Sequence, residues 1–277
     1  MIDLSAYIHS DWAWVVLFVM AIFVGMSKTG VQGLAILTVP MLAMAFGAKP
    51  STGLMLPVLC FADVIGVSYY RRQAEWKYII RLLPMAIAGF FLALWVDNMI
   101  PAKEFKHLMG ACLALVLAVM LWSQWKGKAA NKREQNDDSI DSVEREQAQL
   151  KVKENLIIDK WWYSPLFGLL GGFTTMIGNA AGPVMAIYLL STRMPKLAFV
   201  GTNAWFFLCV NFLKLPFQVF AWHNINLTTL AIDACAIPFV LIGAFLGIRI
   251  VKFLPEKGFR IFTTIVTIIS VLVMLLA

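Results

Sequence analysis

Ten apolar runs, divided five and five by one charged segment, constrain the fold of this chain most strongly. The runs cover approximately residues 12–28, 30–47, 52–70, 78–97 and 105–125, and then 161–177, 178–192, 198–221, 227–250 and 258–277. Hydrophobic residues make up 60% of the chain and charged residues 14%, whereas soluble domains average roughly 45–50% and 25%. The sequence therefore predicts an all-α polytopic membrane protein with about 8–10 transmembrane helices. It excludes a soluble enzyme, a nucleic-acid binder and a secreted module.

The charged segment predicts the domain organisation. Residues 126–160 hold 8 basic and 8 acidic residues in 35 positions, and they lack the apolar content to pack a core. We therefore expect a charged cytoplasmic linker at 126–160, between a first transmembrane repeat at 1–125 and a second at 161–277.

The two halves are related by an internal duplication. Four residues at 84–92 recur 154 residues later at 238–246: Pro84, Gly89, Phe91 and Leu92 match Pro238, Gly243, Phe245 and Leu246. The same offset aligns 100–106 with 254–260, and further upstream an offset of 148–149 pairs Gly30 with Gly178 and Cys60 with Cys209. A pattern kept in register over this length indicates a repeat architecture.

The basic residues outside the linker predict the orientation of the repeats. If the residues that follow the third run are cytoplasmic, counting spans places ten basic residues on that side: Arg71, Arg72, Lys77, Arg81, Arg193, Lys196, Arg249, Lys252, Lys257 and Arg260. Three lie on the other side: Lys49, Lys103 and Lys106. Both termini are then external, and each half crosses an odd number of times. This predicts two inverted five-segment repeats.

The first two runs of each half are short for a hydrocarbon layer of about 30 Å, and polar, glycine-containing breaks at 25–33 and 171–183 interrupt them. Irregular backbone at membrane depth must be buried in protein or line a cavity. Matching interruptions in two halves point to a transporter's binding site. We therefore expect a substrate site between the breaks, whether the short segments are re-entrant or fully spanning. The alternative is that the glycines only allow close helix packing.

Two lysines inside apolar runs, Lys28 and Lys214, suggest the charge of the substrate. A cation at bilayer depth costs about 2.5–3.5 kcal/mol or more and needs a partner. With no obvious matched acid, the lysines favour a small anion, helped by helix N-termini near the breaks. The predicted substrate-binding residues are Ser27, Lys28, Thr29, Gly30, Gln32, Gly178, Asn179, Thr202, Asn203, Asn211 and Lys214. Alternatively, Lys28 extends to an interface, or Lys214 pairs with Asp233 or Asp63.

Asp63 and Asp233 are the acids inside apolar runs. Each is a candidate to carry a coupling proton or sodium ion, or to neutralise a lysine. The sequence has no motif of a serine hydrolase, a zinc protease or a nucleotide-binding loop, so we predict neither an enzyme nor a cofactor or metal site.

The glycine-containing breaks, Thr52-Gly53, Gly201-Thr202-Asn203 and the repeated Pro-x4-Gly-x-Phe-Leu resemble the TauE/SafE family, the sulfite exporter-like or toluene sulfonate uptake permease proteins. This resemblance implies a multi-pass transporter in the bacterial inner membrane. Its expected partners are the lipid bilayer and a small sulfur-containing anion such as sulfite, sulfoacetate or another organosulfonate, and it allows a homo-oligomer. We expect alternating access, with export as the direction. An anion channel and a membrane-embedded factor that handles a sulfur compound, with Cys60 and Cys209 as its reactive groups, remain open.

Overall fold

The computed structural model describes residues 11–32, 34–46, 48–97, 99 and 161–276. The described chain is helical and contains no strand. Its helices are α1 (Asp11–Thr29), α2 (Leu34–Phe46), α3 (Ala48–Tyr70), α4 (Trp76–Asp97), α5 (Tyr163–Gly178), α6 (Ala181–Ser191), α7 (Lys196–Pro216), α8 (Leu227–Phe253) and α9 (Glu256–Leu276), with one π-helical turn at Phe217–Ala221. The predicted linker and the run at 105–125 lie outside the described residues.

Five described helices are long and apolar enough to cross a membrane: Trp12–Thr29, Ser51–Tyr70, Trp76–Val96, Lys196–Ala221 and Leu227–Phe253. Each coincides with an apolar run of the sequence. Large apolar side chains also cover the outside of the bundle. Phe91 and Phe245, which occupy equivalent positions of the repeat, are 58% and 59% exposed. Exposed apolar surface of this extent is typical of a face toward lipid, so the all-α membrane fold predicted from the sequence is confirmed.

The second helix of each half is too short to span a bilayer alone. α2 has 13 residues and α6 has 11, which at 1.5 Å per residue gives lengths of about 20 Å and 16 Å. In the second half the chain leaves α5 through Asn179, whose backbone is left-handed with φ of 54°. The Asn179 and Ala180 amides donate to the carbonyls of Thr175 and Thr174, which is a common way to end a helix. The predicted interruptions are therefore real ends of helices.

Helices of the first half pack against helices of the second half in two close pairs, α1 with α8 and α4 with α5. Glycines make both contacts. A Cβ atom on Gly25 would lie 2.7 Å from the Ala244 nitrogen, and one on Gly89 would lie 2.7 Å from the Phe173 nitrogen. In the α1–α8 pair the Thr29 hydroxyl also donates to the Ala244 carbonyl at 3.0 Å. Since α4 and α8 carry the duplicated motif, the first helix of each half packs on the fourth helix of the other.

Helices α3 and α7 pack against each other between these two pairs. α3 also contacts α1 and α8, while α7 also contacts α4. Among their buried polar residues are Asp63 on α3 and Asn203, Asn211 and Lys214 on α7. The α3–α7 pair therefore holds the candidate site between the two breaks.

Candidate functional site

A buried polar cavity lies where the two breaks meet. Six helices and both breaks contribute to its lining; the helices are α1, α2, α3, α5, α6 and α7. The lining residues are Ser27, Lys28, Gln32, Ala35, Leu59, Thr175, Asn179, Gly182, Asn203, Phe207 and Asn211. The cavity leaves about 20 Å³ for the centres of water molecules, and one water needs roughly 10–15 Å³. The two breaks, which lie about 150 residues apart in the repeat, thus contribute to one polar cavity.

Lys28 lines the cavity and pairs with Asp63, which is fully buried and is not part of the lining. The Lys28 Nζ atom, in the last turn of α1, lies 3.0 Å from Asp63 Oδ1 on α3. Asn211 on α7 donates to the other carboxylate oxygen at 2.6 Å. The ammonium also lies 3.8 Å from the centroid of the Phe207 ring, a cation–π distance. Lys28 is only 4% exposed, so it is a buried ion-pair partner and does not extend to an interface.

Lys214 is held differently, by neutral groups of the second break. Its Nζ atom donates to the Thr175 carbonyl at 2.9 Å, to the Thr175 hydroxyl at 3.4 Å and to the Asn179 side-chain oxygen. No carboxylate of the described residues lies within ion-pair distance of it, so the predicted alternative of pairing with Asp233 or Asp63 is not formed. An ammonium has three N–H donors, and three oxygens receive them here.

The site therefore contains one more basic than acidic side chain. In their usual ionisation states Lys28 and Lys214 carry two positive charges and Asp63 carries one negative charge, which is a formal excess of one positive charge. All three are buried, where Coulomb interactions are stronger than in water. An excess charge in such a place favours an anion from outside the chain.

Several polar side chains in the cavity have unused hydrogen-bonding atoms. Both amide atoms of Gln32, and the amide oxygens of Asn203 and Asn211, have no partner among the described residues. Leaving a buried polar atom unpaired costs about 1–3 kcal/mol, so these atoms are available to water or to a ligand. Because the oxygen and nitrogen of an amide can exchange places by rotation, Gln32 and Asn203 can present donors to an oxyanion, whereas the Asn211 nitrogen already donates to Asp63.

Five residues of the predicted site lie outside the cavity lining, and one of them, Lys214, bonds to Thr175 and Asn179 of the lining. The Thr29 hydroxyl donates to helix carbonyls in the α1–α8 contact, and Gly30 packs beside the Gly247 backbone. The Thr202 hydroxyl accepts the Glu75 amide at 2.9 Å. Gly178 is the last residue of α5. The other predicted residues line the cavity.

Asp233 also lies away from the cavity, on α8. It is 5% exposed, and neither carboxylate oxygen has a hydrogen-bond partner among the described residues. It forms no ion pair within the described chain. Its role as a carrier of a coupling ion therefore stays a prediction.

Sequence reasoning missed Phe207, Thr175 and Gly182 as parts of the site. The spacing along α7 contains a signal for the first of these. Positions 203, 207 and 211 recur every four residues and share one helix face, so the two predicted asparagines already identify the face on which Phe207 lies. Thr175 belongs to the predicted second break, but its role depends on the carbonyl that it offers to Lys214.

The ends of the α3–α7 pair are closed by two similar contacts. At one end the loop after α3 lies over α7: a Cβ atom on Gly201 would be 3.0 Å from the Gln73 Cβ, and the Tyr70 hydroxyl donates to the Thr29 carbonyl at 3.0 Å. At the other end the loop after α7 lies over α3. There the Asn224 amide donates to the Thr52 hydroxyl at 3.5 Å and to the Gln218 side chain at 3.1 Å.

Comparison with known proteins agrees with these observations. A family model described as sulfite exporter TauE/SafE matches residues 16–274, which include both breaks. Neither the curated proteins nor the solved structures produced a match. The resemblance seen in the sequence is confirmed. This is a family of membrane transporters for sulfur anions such as sulfite, and the long apolar helices make the protein a multi-pass membrane protein.

Proposed function

Because the chain belongs to the sulfite exporter TauE/SafE family, we propose that it is a secondary transporter that exports a small sulfur-containing anion across the bacterial inner membrane. The substrate is sulfite, sulfoacetate or another organosulfonate. The observation that carries this proposal is the buried cavity with one excess positive charge, built from both breaks. Such a cavity attracts an anion and excludes a cation.

Within this proposal the anion lies against Lys28 and the amides of Gln32 and Asn203. Ser27 and Asn179 complete the polar lining. Lys214 bonds to Thr175 and Asn179 behind the lining and attracts the anion through its field. Charge-assisted hydrogen bonds to oxyanions are about twice as strong as neutral ones, so Lys28 is the expected principal contact.

Alternating access is the expected mechanism. The repeats are taken as inverted, so that the loop after α3 and the loop after α7 close opposite faces of the membrane. Opening one loop contact at a time would expose the cavity to one side and then to the other. The closed contacts at both ends of the α3–α7 pair favour such a carrier over an open anion channel.

The membrane potential is sufficient to drive export. With a negative cell interior, each negative charge that leaves gains about 2.3 kcal/mol per 100 mV. Uptake against this potential would require a coupling ion, for which Asp63 and Asp233 are the candidates. Export requires none.

Anion flux into proteoliposomes under an imposed potential tests this function. We expect saturable, potential-driven flux of sulfite or sulfoacetate, and little flux of chloride. Lys28→Ala should lower the flux roughly tenfold or more, because a hydrogen bond to a charged group contributes about 1.5–3 kcal/mol. Lys252→Ala is the matched control, since Lys252 is an exposed lysine on α8 that lies near the Tyr69 ring.

Two results would contradict the proposal. If no sulfur anion moves, the assigned substrate class is wrong. If flux is unsaturable and continuous at every concentration, the protein is a channel.

A further inference from the structure

We infer that the cavity balances a single negative charge, so that it binds a monovalent sulfur oxyanion as it stands and a divalent one only together with a proton on Asp63. This inference rests on the proposed function, because it concerns the anion bound at the same site. The inference specifies the charge of the bound anion and the residue whose protonation compensates for a second negative charge.

The contacts of each buried group indicate its charge. The Lys214 Nζ atom lies within hydrogen-bond distance of three oxygens, which matches the three N–H donors of an ammonium. Lys28 and Asp63 face each other at 3.0 Å, and Asn211 donates to the second carboxylate oxygen. This arrangement suits an ammonium and a carboxylate. With these ionisation states the three side chains carry two positive charges and one negative charge.

Other groups that could titrate beside Asp63 must lie on α3 itself or on the helices that pack on it, which are α1, α2, α7 and α8. α1 supplies Lys28, and α7 supplies Lys214 and the thiol of Cys209. α3 itself supplies the buried thiol of Cys60, one turn before Asp63. α8 supplies Asp233, which forms no ion pair with a lysine of the described residues, and α2 contains no titratable residue. Among the described residues, Asp63 is thus the acid that can adjust the charge of the site.

The charges of Lys28, Lys214 and Asp63 determine which anion the site can neutralise. One monovalent anion neutralises the site completely. A divalent anion leaves one uncompensated negative charge in a buried place, which is strongly unfavourable. If Asp63 takes a proton from solution, its carboxylate becomes a neutral acid and Lys28 is released to the anion. The two lysines then balance both charges, and no bond in the anion breaks.

The consequence is that each transport cycle moves one net negative charge. A monovalent anion carries it alone, and a divalent anion carries it together with a proton. Hydrogensulfite and sulfite would then be exported with the same charge per cycle, although they differ in their own charge. The membrane potential therefore drives both forms equally.

Calorimetric titration of the full chain in lipid nanodiscs tests this inference. Methanesulfonate and sulfate are suitable probes, because they are similar in size and shape but carry one and two charges. Titration in two buffers with different ionisation enthalpies measures the protons taken up on binding. We expect uptake near zero for methanesulfonate and near one for sulfate. Sulfite is titrated beside them as a test of the proposed function itself.

The Asp63→Asn variant gives the sharper result. It resembles the protonated site, so sulfate should bind without proton uptake. The ratio of sulfate to methanesulfonate affinity should rise at least tenfold. Asp233→Asn, which removes the buried acid outside the cavity, should leave both quantities unchanged. If Asp63→Asn does not fold, the variant with both Lys28→Met and Asp63→Asn removes the ion pair as a unit, keeps one lysine and has no acid to take a proton. Its ratio of sulfate to methanesulfonate affinity should fall below that of the wild type, and neither probe should cause proton uptake.

The outcomes separate the two proposals. Equal proton uptake for both probes, or an unchanged affinity ratio in Asp63→Asn, overturns the inference and leaves the transporter proposal intact. Absence of binding by sulfite and by both probes overturns the proposed function and this inference together.

Discussion

The ion pair between Lys28 and Asp63 joins α1 to α3 at the centre of the bundle. A buried pair of this kind contributes little when it is intact, but breaking it by removing one partner leaves an uncompensated charge. The effect of this ion pair on the stability of the folded protein can therefore be measured separately from its effect on transport.

Lys28→Ala should destabilise the protein by about 3–5 kcal/mol, because Asp63 then stays buried without its cation. Adding Asp63→Asn in the same chain should recover most of this loss. Thermal unfolding of the two purified variants in detergent measures both effects. Flux should stay low in both variants, since neither has the ammonium in the cavity. A Lys28→Ala protein as stable as the wild type would show that the pair is not formed in the membrane.

The charged residues of the site were predictable from the sequence, but their partners were not. A lysine inside an apolar run stands out by composition alone, so Lys28 and Lys214 were found. That Asp63 pairs with Lys28 while Lys214 bonds to Thr175 depends on how α1, α3, α5 and α7 meet, which no local pattern contains. For the same reason Thr29 was included with its neighbours in the break, although it contacts α8.

At the scale of helices, the glycines of α5 provide two neighbouring positions with opposite surroundings. A Cβ atom on Gly172 would lie 2.6 Å from the Ala86 carbonyl carbon of α4. One on Gly171 would meet only the ends of two side chains, Phe206 at 3.9 Å and Val184 at 4.0 Å.

Gly172→Ala should therefore force α4 and α5 apart and destabilise the fold by about 1–3 kcal/mol. Gly171→Ala adds ordinary contacts and gains up to about 1 kcal/mol of helix propensity, so it should be neutral or slightly stabilising. The midpoints of thermal unfolding of the two variants provide the comparison. Equal midpoints would mean that α4 and α5 do not approach as closely as described.

The helices themselves were largely predictable, because an apolar run in a membrane protein has few alternatives to a helix. The described helices coincide with the predicted runs, and the second helix of each half is short as predicted. The first helix of the first half, α1, was also predicted to be short, but it is long enough to cross a membrane. The crosswise pairing of α1 with α8 and of α4 with α5 was not predicted. It depends on surface shape at Gly25, Gly89 and Gly172, and a glycine in a sequence does not indicate which partner approaches it.

At the scale of the whole molecule, the two loop contacts that close the α3–α7 pair must open if access alternates. Paired cysteines can test each contact, in a background whose native cysteines are replaced by serine. The pairs are Thr52→Cys with Asn224→Cys at one end, and Glu75→Cys with Thr202→Cys at the other. Hydrogen bonds join the two residues of each pair across the loop contact.

Oxidation of either pair should stop flux, and reduction should restore it. A carrier needs both contacts to open in turn, so each cross-link alone should be sufficient. Single-cysteine variants treated with the same oxidant are the controls. Full flux with one pair cross-linked would exclude that contact as a gate and would leave the other end as the moving one.

The crosswise pairing also has a consequence for how the chain is made. Thr29 and its partner Ala244 are 215 residues apart in the sequence, so α1 leaves the ribosome long before α8 exists. The glycine face of α1 therefore enters the membrane before its partner α8 has been synthesised. In the same way α4 enters the membrane before α5. Assembly is therefore completed only when synthesis is nearly finished, and a nascent chain that stops after the first half holds two unpaired glycine faces in lipid.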